Sequence, residues 1–362
     1  MESIRPALSS LRLTAPRRVP RPLYQCLHTS VSRRATPLPH PSVPGPPPET
    51  PTPAASDALD RVARKRKQAE LLKQAKEVRA APTRPQSVLA KRFWKDVSVK
   101  DTEDGLQVFL DTRPVRTPTK EILTVPATKH QLATAIALEW DLLVSAQQAL
   151  KTHYIPMTSL AARALDIEKA DAQGNAKVRE DINRMLMRYL ATDTLLCWAP
   201  ERVLNEVTQG GLTLRQLQMK LATPIIAYLT THVWPGVEIK PILEPDSIIP
   251  VSQPEMTKDV VRGWLTGLPS FELAGLERAV LASKSLLVGV RLIHEWGEAF
   301  AQSRKAADAG RFGIEEAVEA ASSEVRWQTT QWGEVEDTHD VEKEDMRRQL
   351  GSAIILVGGA SS

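Results

Sequence analysis

The pattern of apolar and polar positions changes once along the chain, from period two to a helical period. Apolar residues alternate in "FWKDVSVK", and Leu106–Leu110 and Ile122–Pro126 have the composition of short strands. Residues 91–126 are therefore predicted to form a small β-rich unit. A helix is predicted after Pro126, because Leu132, Ile136, Trp140 and Val144 recur at helical spacing.

From about residue 155 onward the pattern is helical. Helices are predicted over these segments: 160–170, 178–191, 213–232, 255–266, 271–300, 314–331 and 338–350. The fold class is therefore α+β, with a small β-rich N-terminal domain at 85–154 and a larger all-helical domain at 155–362.

The first 84 residues have a different composition. Residues 1–35 are rich in arginine and serine and almost free of acids, which is typical of a mitochondrial transit peptide. Residues 36–56 form a proline-rich linker, and 57–84 read as a basic, solvated helix. The basic run at 62–67 leaves open an RNA- or ribosome-associated role, although the rest of the chain is mildly acidic.

Several classes of chemistry have little support. The chain has two cysteines, and Cys26 lies in the presumed leader, so no disulfide is expected within the mature protein. No phosphate-binding loop motif is present, and no apolar run is long enough to span a membrane. We expect a protein of the mitochondrial matrix with no stable membrane insertion, no bound nucleic acid and no cofactor.

Two groups of residues keep a metal-assisted hydrolase open as an alternative. His294 and Glu298 in "HEWGE" resemble half of a zinc-protease helix, with surface residues near a helix end as the simpler interpretation. His339 lies between Asp337 and Asp340, where helix capping explains most of the acids. No catalytic or metal-binding residue is therefore assigned.

The segment 271–293 is apolar around most of its circumference, which indicates a helix surrounded by neighbours. Glu277, Lys284, Arg291 and Glu298 recur every seven residues, a step that drifts only about 20° on a straight helix. The pattern predicts one narrow charged stripe, either plain architecture or the floor of a groove for a partner. Lys284 or Arg278 would partly neutralise Glu277.

Seven motifs then identify a resemblance, and they occur in this order: "RFWKDVSV", "GLQVFLDTRPVRTP", "ILTVP", "ALEWD", "IPMTSLAARALD", "GLERAVLASKSLLVG" and "WGEVEDTHDVE". Over about 91–350 the chain resembles the assembly chaperones that bind the alpha subunit of the F-type ATP synthase catalytic head. The resemblance implies a mitochondrial protein that is not an enzyme and that shields unassembled alpha subunit until the beta subunit replaces it.

The resemblance also implies which residues matter. The glutamate important in that family corresponds to Glu277, and a functionally sensitive tryptophan corresponds to Trp140. Together with the predicted stripe, this makes Glu277, Lys284 and Arg291 the candidate partner-binding residues. The position of Trp140 on its apolar stripe predicts a structural anchor between the β-rich unit and the helices.

Overall fold

A computed structural model describes most of the chain beyond residue 90. The described residues are Glu70 and the ranges 91–200, 212–243, 249–305, 311–335 and 338–359. The predicted transit peptide and proline-rich linker lie outside them, and of the predicted basic helix only Glu70 is described, in a helical conformation. The domain boundary placed at residues 154 and 155 stays a prediction.

The N-terminal part is a four-stranded antiparallel sheet centred on one apolar strand. The strands are β1 (Val97–Thr102), β2 (Gly105–Leu110), β3 (Arg113–Pro114) and β4 (Thr124–Val125). Strand β2 pairs with all three others. The apolar runs at 106–110 and 122–126 thus supply the central strand and one of its neighbours, as predicted.

The turn between β1 and β2 depends on one glycine. Gly105 has a φ of +132°, a region that favours glycine, and a Cβ there would lie 2.5 Å from the carbonyl oxygen of Val125. A side chain at this position would push β4 away from β2, so the glycine permits the close approach of the two strands.

Eleven α-helices occur among the residues described beyond position 90. They are α1 (His130–Leu142), α2 (Pro156–Ala172), α3 (Lys177–Ala191), α4 (Leu214–Tyr228), α5 (Glu255–Thr266), α6 (Ser270–Ser283), α7 (Leu286–Trp296), α8 (Ala301–Lys305), α9 (Ile314–Ala321), α10 (Ser323–Trp332) and α11 (His339–Val357). A sheet followed by helices confirms the predicted α+β class. No helix among the described residues has the length and apolar character to cross a membrane.

Helix α6 is the centre of the helical part. It packs against α2, α7 and α11, and Leu273, Leu276 and Val280 on it are fully buried. Burying a side chain of this size contributes about 1.5–3 kcal/mol. Gly275 brings α6 close to α11, since a Cβ there would lie 2.4 Å from the Val357 side chain.

The single helix predicted over 271–300 is wrong, because the chain forms two helices there. Helix α6 ends at Ser283 and is followed by Lys284, which has a left-handed φ of +58°. Ser285 caps the start of α7 by accepting a hydrogen bond from the Val288 amide at 3.1 Å. Asp193 also accepts from the amide of Leu287, at 3.0 Å. A serine cap before an apolar run therefore overrides the continuous periodicity.

The segment predicted as one helix over 314–331 is also two helices, α9 and α10, which meet at Ser322. Helix α10 ends at Trp332, one residue beyond the predicted end, and Gly333 follows it. This glycine has a φ of +87°, and its amide donates to the carbonyl of Thr329 at 2.9 Å.

Candidate partner-binding seam between helices α2, α6 and α11

Glu277 lies on α6 and forms an ion pair with a residue that sequence reasoning missed. Its carboxylate accepts hydrogen bonds from Arg163 Nε at 2.9 Å and Nη2 at 3.0 Å, so α2 supplies its counter-charge rather than Lys284 or Arg278. The hydrogen bond to Glu277 raises the pKa of Arg163 above its usual value. The Glu277 side chain keeps 17% of its surface exposed and Arg163 39%, so a partner can reach the pair.

Lys284 and Arg291 occupy different environments from Glu277, because the helix breaks between them. Lys284 is exposed at the end of α6, where its Nζ donates to the carbonyl of Leu281 at 2.6 Å. Arg291 is buried in α7 and pairs with Glu295 at 2.6 Å. The predicted single stripe is therefore wrong, whereas a role of each residue in binding stays a prediction.

Arg291 is also held between two aromatic rings. Its guanidinium carbon lies 3.7 Å from the ring centroid of Tyr228 and 4.9 Å from that of Phe312. The three side chains line part of a cleft of about 650 Å³ between α4 and α9. Stacking and an ion pair together account for a cation in this position.

Trp140 lies half-buried at the junction of the sheet and the helices. Its ring contacts Trp94 edge-on at 5.5 Å between centroids, and its Nε1 donates to Thr158 Oγ1 at 3.1 Å on α2. Trp94 in turn donates from its Nε1 to the carbonyl of Trp140 at 3.2 Å. One side chain thus connects the segment before β1 with the start of α2.

The two acids beside Trp140 reinforce that junction. Glu139 accepts hydrogen bonds from the amide of Thr158 at 2.9 Å and from the amide of Met157, and so caps the N-terminus of α2 from outside that helix. Burial raises the pKa of Glu139, although these hydrogen bonds oppose the shift. Asp141 lies 3.6 Å from Arg92. The "EWD" motif is therefore a set of tertiary contacts.

The continuation of the apolar stripe to Val144 is wrong, because α1 ends at Leu142 and Val144 is 75% exposed. It belongs to a run of exposed apolar side chains on α1 and the segment that follows. This run, the apolar rim, consists of Leu138, Leu142, Val144, Leu150 and Tyr154. Exposed apolar residues in such number are typical of interaction surfaces.

The residues considered for metal binding engage other partners. His294 is buried, not at the surface, and hydrogen-bonds Tyr228 Oη at 3.0 Å and Ser303 Oγ at 3.3 Å. Burial, with the nearby charge of Arg291, lowers the pKa of His294 to about 4. Glu298 instead lies 3.5 Å from the Nζ of Lys129.

Near residue 339 the expected side-chain capping is not seen, because α11 begins after Thr338 and the Thr338 side chain makes no capping hydrogen bond. His339 Nδ1 accepts from the Val335 amide at 3.1 Å, while Asp337 lies outside the described residues. Within the described ranges, no group of three or more histidine, cysteine, aspartate or glutamate side chains is placed to hold a metal ion.

Arg163 could have been found from sequence by asking where lone charges find partners. It interrupts the small, apolar run "SLAARAL", just as Glu277 interrupts "LAGLERAV". A charge on the inner side of such a helix requires an opposite charge, so the two side chains are a natural pair. Periodicity within one helix cannot supply this information.

Comparison with known proteins gives a consistent result. The family model described as ATP12 chaperone protein matches residues 91–230. The mitochondrial protein atp12 of Schizosaccharomyces pombe is 30% identical over 272 residues, which cover 74% of this chain and 81% of that protein. The mitochondrial ATP12 protein of Saccharomyces cerevisiae is 34% identical over 286 residues, covering 74% and 84%.

The fold comparison agrees. The crystal structure of Atp12 from Paracoccus denitrificans superposes with a TM-score of 0.53 and 25% identity, covering 74% of this chain and 96% of that one. Fold and relatives thus define a chaperone. The chain belongs to the ATP12 chaperone family, which confirms the resemblance seen in its motifs. Both relatives are named as mitochondrial, which supports the same location for this chain.

Proposed function

We propose that this protein is an assembly chaperone of the mitochondrial matrix. It binds the unassembled alpha subunit of the F-type ATP synthase catalytic head and prevents its aggregation until the beta subunit replaces it. Membership of the ATP12 chaperone family supports the class of function. The observation that carries the site is the partly exposed ion pair between Glu277 on the mostly apolar α6 and Arg163 on α2.

The arrangement suits a protein that recognises another polypeptide. The apolar rim offers surface that can cover apolar residues of an unassembled subunit. The ion pair provides charged groups whose exchange with a partner gives specificity to that contact. Such a chaperone acts by binding alone, so the proposal includes no catalytic residue, cofactor or nucleic acid.

In the free protein Arg163 satisfies Glu277. We propose that a donor of the alpha subunit takes over this carboxylate in the complex. The exchange costs little, because the pair is partly exposed and such pairs contribute about 1 kcal/mol or less to stability. Lys284, exposed at the end of α6, would contact the bound subunit directly. Arg291 is buried in α7, so it would contribute to binding by supporting the packing of that helix.

The test compares Glu277→Gln with Arg163→Gln. Each variant breaks the same ion pair, but only Glu277→Gln removes the carboxylate proposed to meet the partner. We expect both to unfold within about 1 kcal/mol of wild type. Glu277→Gln should weaken capture of purified alpha subunit by roughly 1–3 kcal/mol, the scale of a charge-assisted hydrogen bond.

Thermal melting and pull-down of the alpha subunit measure the two effects. A folded Glu277→Gln protein with undiminished capture would refute the role of Glu277. An equal loss of capture in both variants would assign the effect to the ion pair itself rather than to contact by the glutamate.

A further inference from the structure

A small cavity is lined in part by Arg278, the residue that follows Glu277 on α6. It has a volume of about 130 Å³ and lies where the start of α2 meets α6 and α11. Arg278, Arg348, Gln349 and His153 contribute to its lining. Among the described residues that line it, none is acidic. The cavity thus presents two guanidinium groups, a side-chain amide and an imidazole to whatever enters it.

The two arginines are not equally compensated. Arg348 donates to Asp345 Oδ1 at 2.6 Å, and this bond is the largest cause of the low pKa of Asp345. Arg278 instead donates to the neutral amide oxygen of Gln349 at 3.3 Å. None of the ion pairs within 4.0 Å among the described residues involves Arg278, although its charge acts from further away on Asp345 and helps to lower the pKa of that carboxyl. The guanidinium therefore has no direct counter-charge and can bind an anion.

The size of the cavity limits what can bind. A single carboxylate or phosphate group is small enough to enter a cavity of about 130 Å³. A guanidinium presents paired N–H donors that match either oxyanion.

We propose that this cavity receives the carboxylate of an aspartate or glutamate side chain of the bound subunit. The inference rests on the proposed chaperone function. A polypeptide carboxylate is favoured over a free anion because the exposed Tyr154 of the apolar rim contacts one of the lining residues. His153, at its edge, packs against Tyr154 with 4.5 Å between ring centroids, and Leu150 is 72% exposed nearby in sequence. Arginine and tyrosine beside apolar surface are characteristic of protein interfaces.

Two consecutive residues of α6, Glu277 and Arg278, would then bind partner groups of opposite charge. Glu277 offers a carboxylate on the α2 side, and Arg278 offers a guanidinium on the α11 side. A partner must present a donor and a carboxylate at matching positions, so a misregistered partner leaves a charge unpaired. This pattern fixes the orientation of a largely apolar contact.

The experiment measures capture of alpha subunit by Arg278→Gln, Arg278→Lys and Arg348→Gln at two salt concentrations. Arg262→Gln is the matched control, since Arg262 is an exposed arginine on α5 paired with Asp259. We expect roughly a tenfold or greater loss of affinity for Arg278→Gln, a smaller loss for Arg278→Lys and Arg348→Gln, and no loss for the control. The salt dependence should also become shallower in Arg278→Gln.

Melting curves separate folding from binding, and Arg278→Lys keeps the test valid if Arg278→Gln fails to fold. Wild-type affinity in a folded Arg278 variant refutes the cavity proposal alone. Failure of the wild-type protein to capture alpha subunit refutes the proposed function as well.

A second arm distinguishes the source of the oxyanion. The wild-type protein and Arg278→Gln are melted in sodium phosphate and in sodium acetate, against sodium chloride at equal ionic strength. If phosphate but not acetate stabilises the wild-type protein, and Arg278→Gln still captures alpha subunit normally, the cavity is a free phosphate site and the proposal is overturned. Loss of capture in Arg278→Gln supports a carboxylate of the bound subunit.

Discussion

At the scale of single residues, two buried titratable side chains shift stability with pH in opposite directions. Asp193 is fully buried, and burial raises its pKa to about 6. Its carboxylate nevertheless accepts from the amides of Leu195 and Leu287, both at 3.0 Å, and so joins the end of α3 to the start of α7. His294 is buried with its pKa lowered to about 4.

The sign for each group follows from its protonation in the two states. Unfolded histidine binds a proton below its ordinary pKa of 6.5, whereas folded His294 does not until about pH 4. The contribution of neutral His294 to the free energy of unfolding is therefore present above pH 6.5. It falls by about 3 kcal/mol as the pH drops to 4. Folded Asp193 takes up its proton near pH 6, before the unfolded state does, so it stabilises the fold by a similar amount as the pH falls from 6 to 3.8.

We predict that His294→Gln gains about 3 kcal/mol relative to wild type between pH 7 and pH 4. Subtracting the free energy of unfolding of the wild type from that of the variant removes the contributions of the other titrating groups. Urea unfolding at several pH values measures it, and Asp193→Asn is the control that should lose stability relative to wild type over the same range. A difference that does not change with pH would contradict the assignment of His294.

Trp140 is the second residue with a specific expectation. Replacing it with arginine removes its contact with Trp94 and its hydrogen bond to Thr158, and places a charge between the sheet and α2. We expect Trp140→Arg to lose on the order of 3–5 kcal/mol. Trp332→Arg is the matched control, since Trp332 is 71% exposed and its replacement should change stability by less than about 0.5 kcal/mol.

Thermal melting of both variants decides between a structural and a binding role. A Trp140→Arg protein that melts like wild type but fails to capture alpha subunit would show that Trp140 contacts the partner.

At the scale of elements, local signals were sufficient for most helices and strands. Strand β2 and helices α3 and α5 follow from their apolar spacing, because each buries one continuous set of apolar residues. The apolar pattern does not predict the break between α6 and α7, because both helices are buried around most of their circumference and their periodicity continues without interruption. Ser285 was the available signal, a cap residue directly before "LLVGV".

The break provides a test of its own. Lys284 holds a left-handed backbone conformation that glycine adopts more readily. We predict that Lys284→Gly raises the free energy of unfolding by about 1 kcal/mol. Lys258→Gly, the same change inside α5, should lower it by about the same amount. Chemical denaturation measures both, and a destabilised Lys284→Gly protein would contradict the helix break at this position.

At the scale of the whole molecule, the candidate partner-binding site between α2, α6 and α11 is assembled from parts of the chain that are far apart in sequence. Arg163 and Glu277 are separated by 114 positions, and Arg278 meets Gln349 across 71. No pattern within one helix reports such pairs, so sequence reasoning identified Glu277 through family resemblance but assigned its counter-charge wrongly. The class of fold, by contrast, depends on the order of elements and was predictable.

The central claim is that this chaperone protects one subunit of the ATP synthase catalytic head. Purified alpha subunit, and separately beta subunit, can be diluted from denaturant into a solution of residues 85–362, with aggregation followed by light scattering. We expect near-equimolar wild-type protein to suppress aggregation of the alpha subunit, to do so far less for the beta subunit, and to be more effective than Glu277→Gln. Unchanged scattering of the alpha subunit in the presence of folded wild-type protein would contradict the central claim.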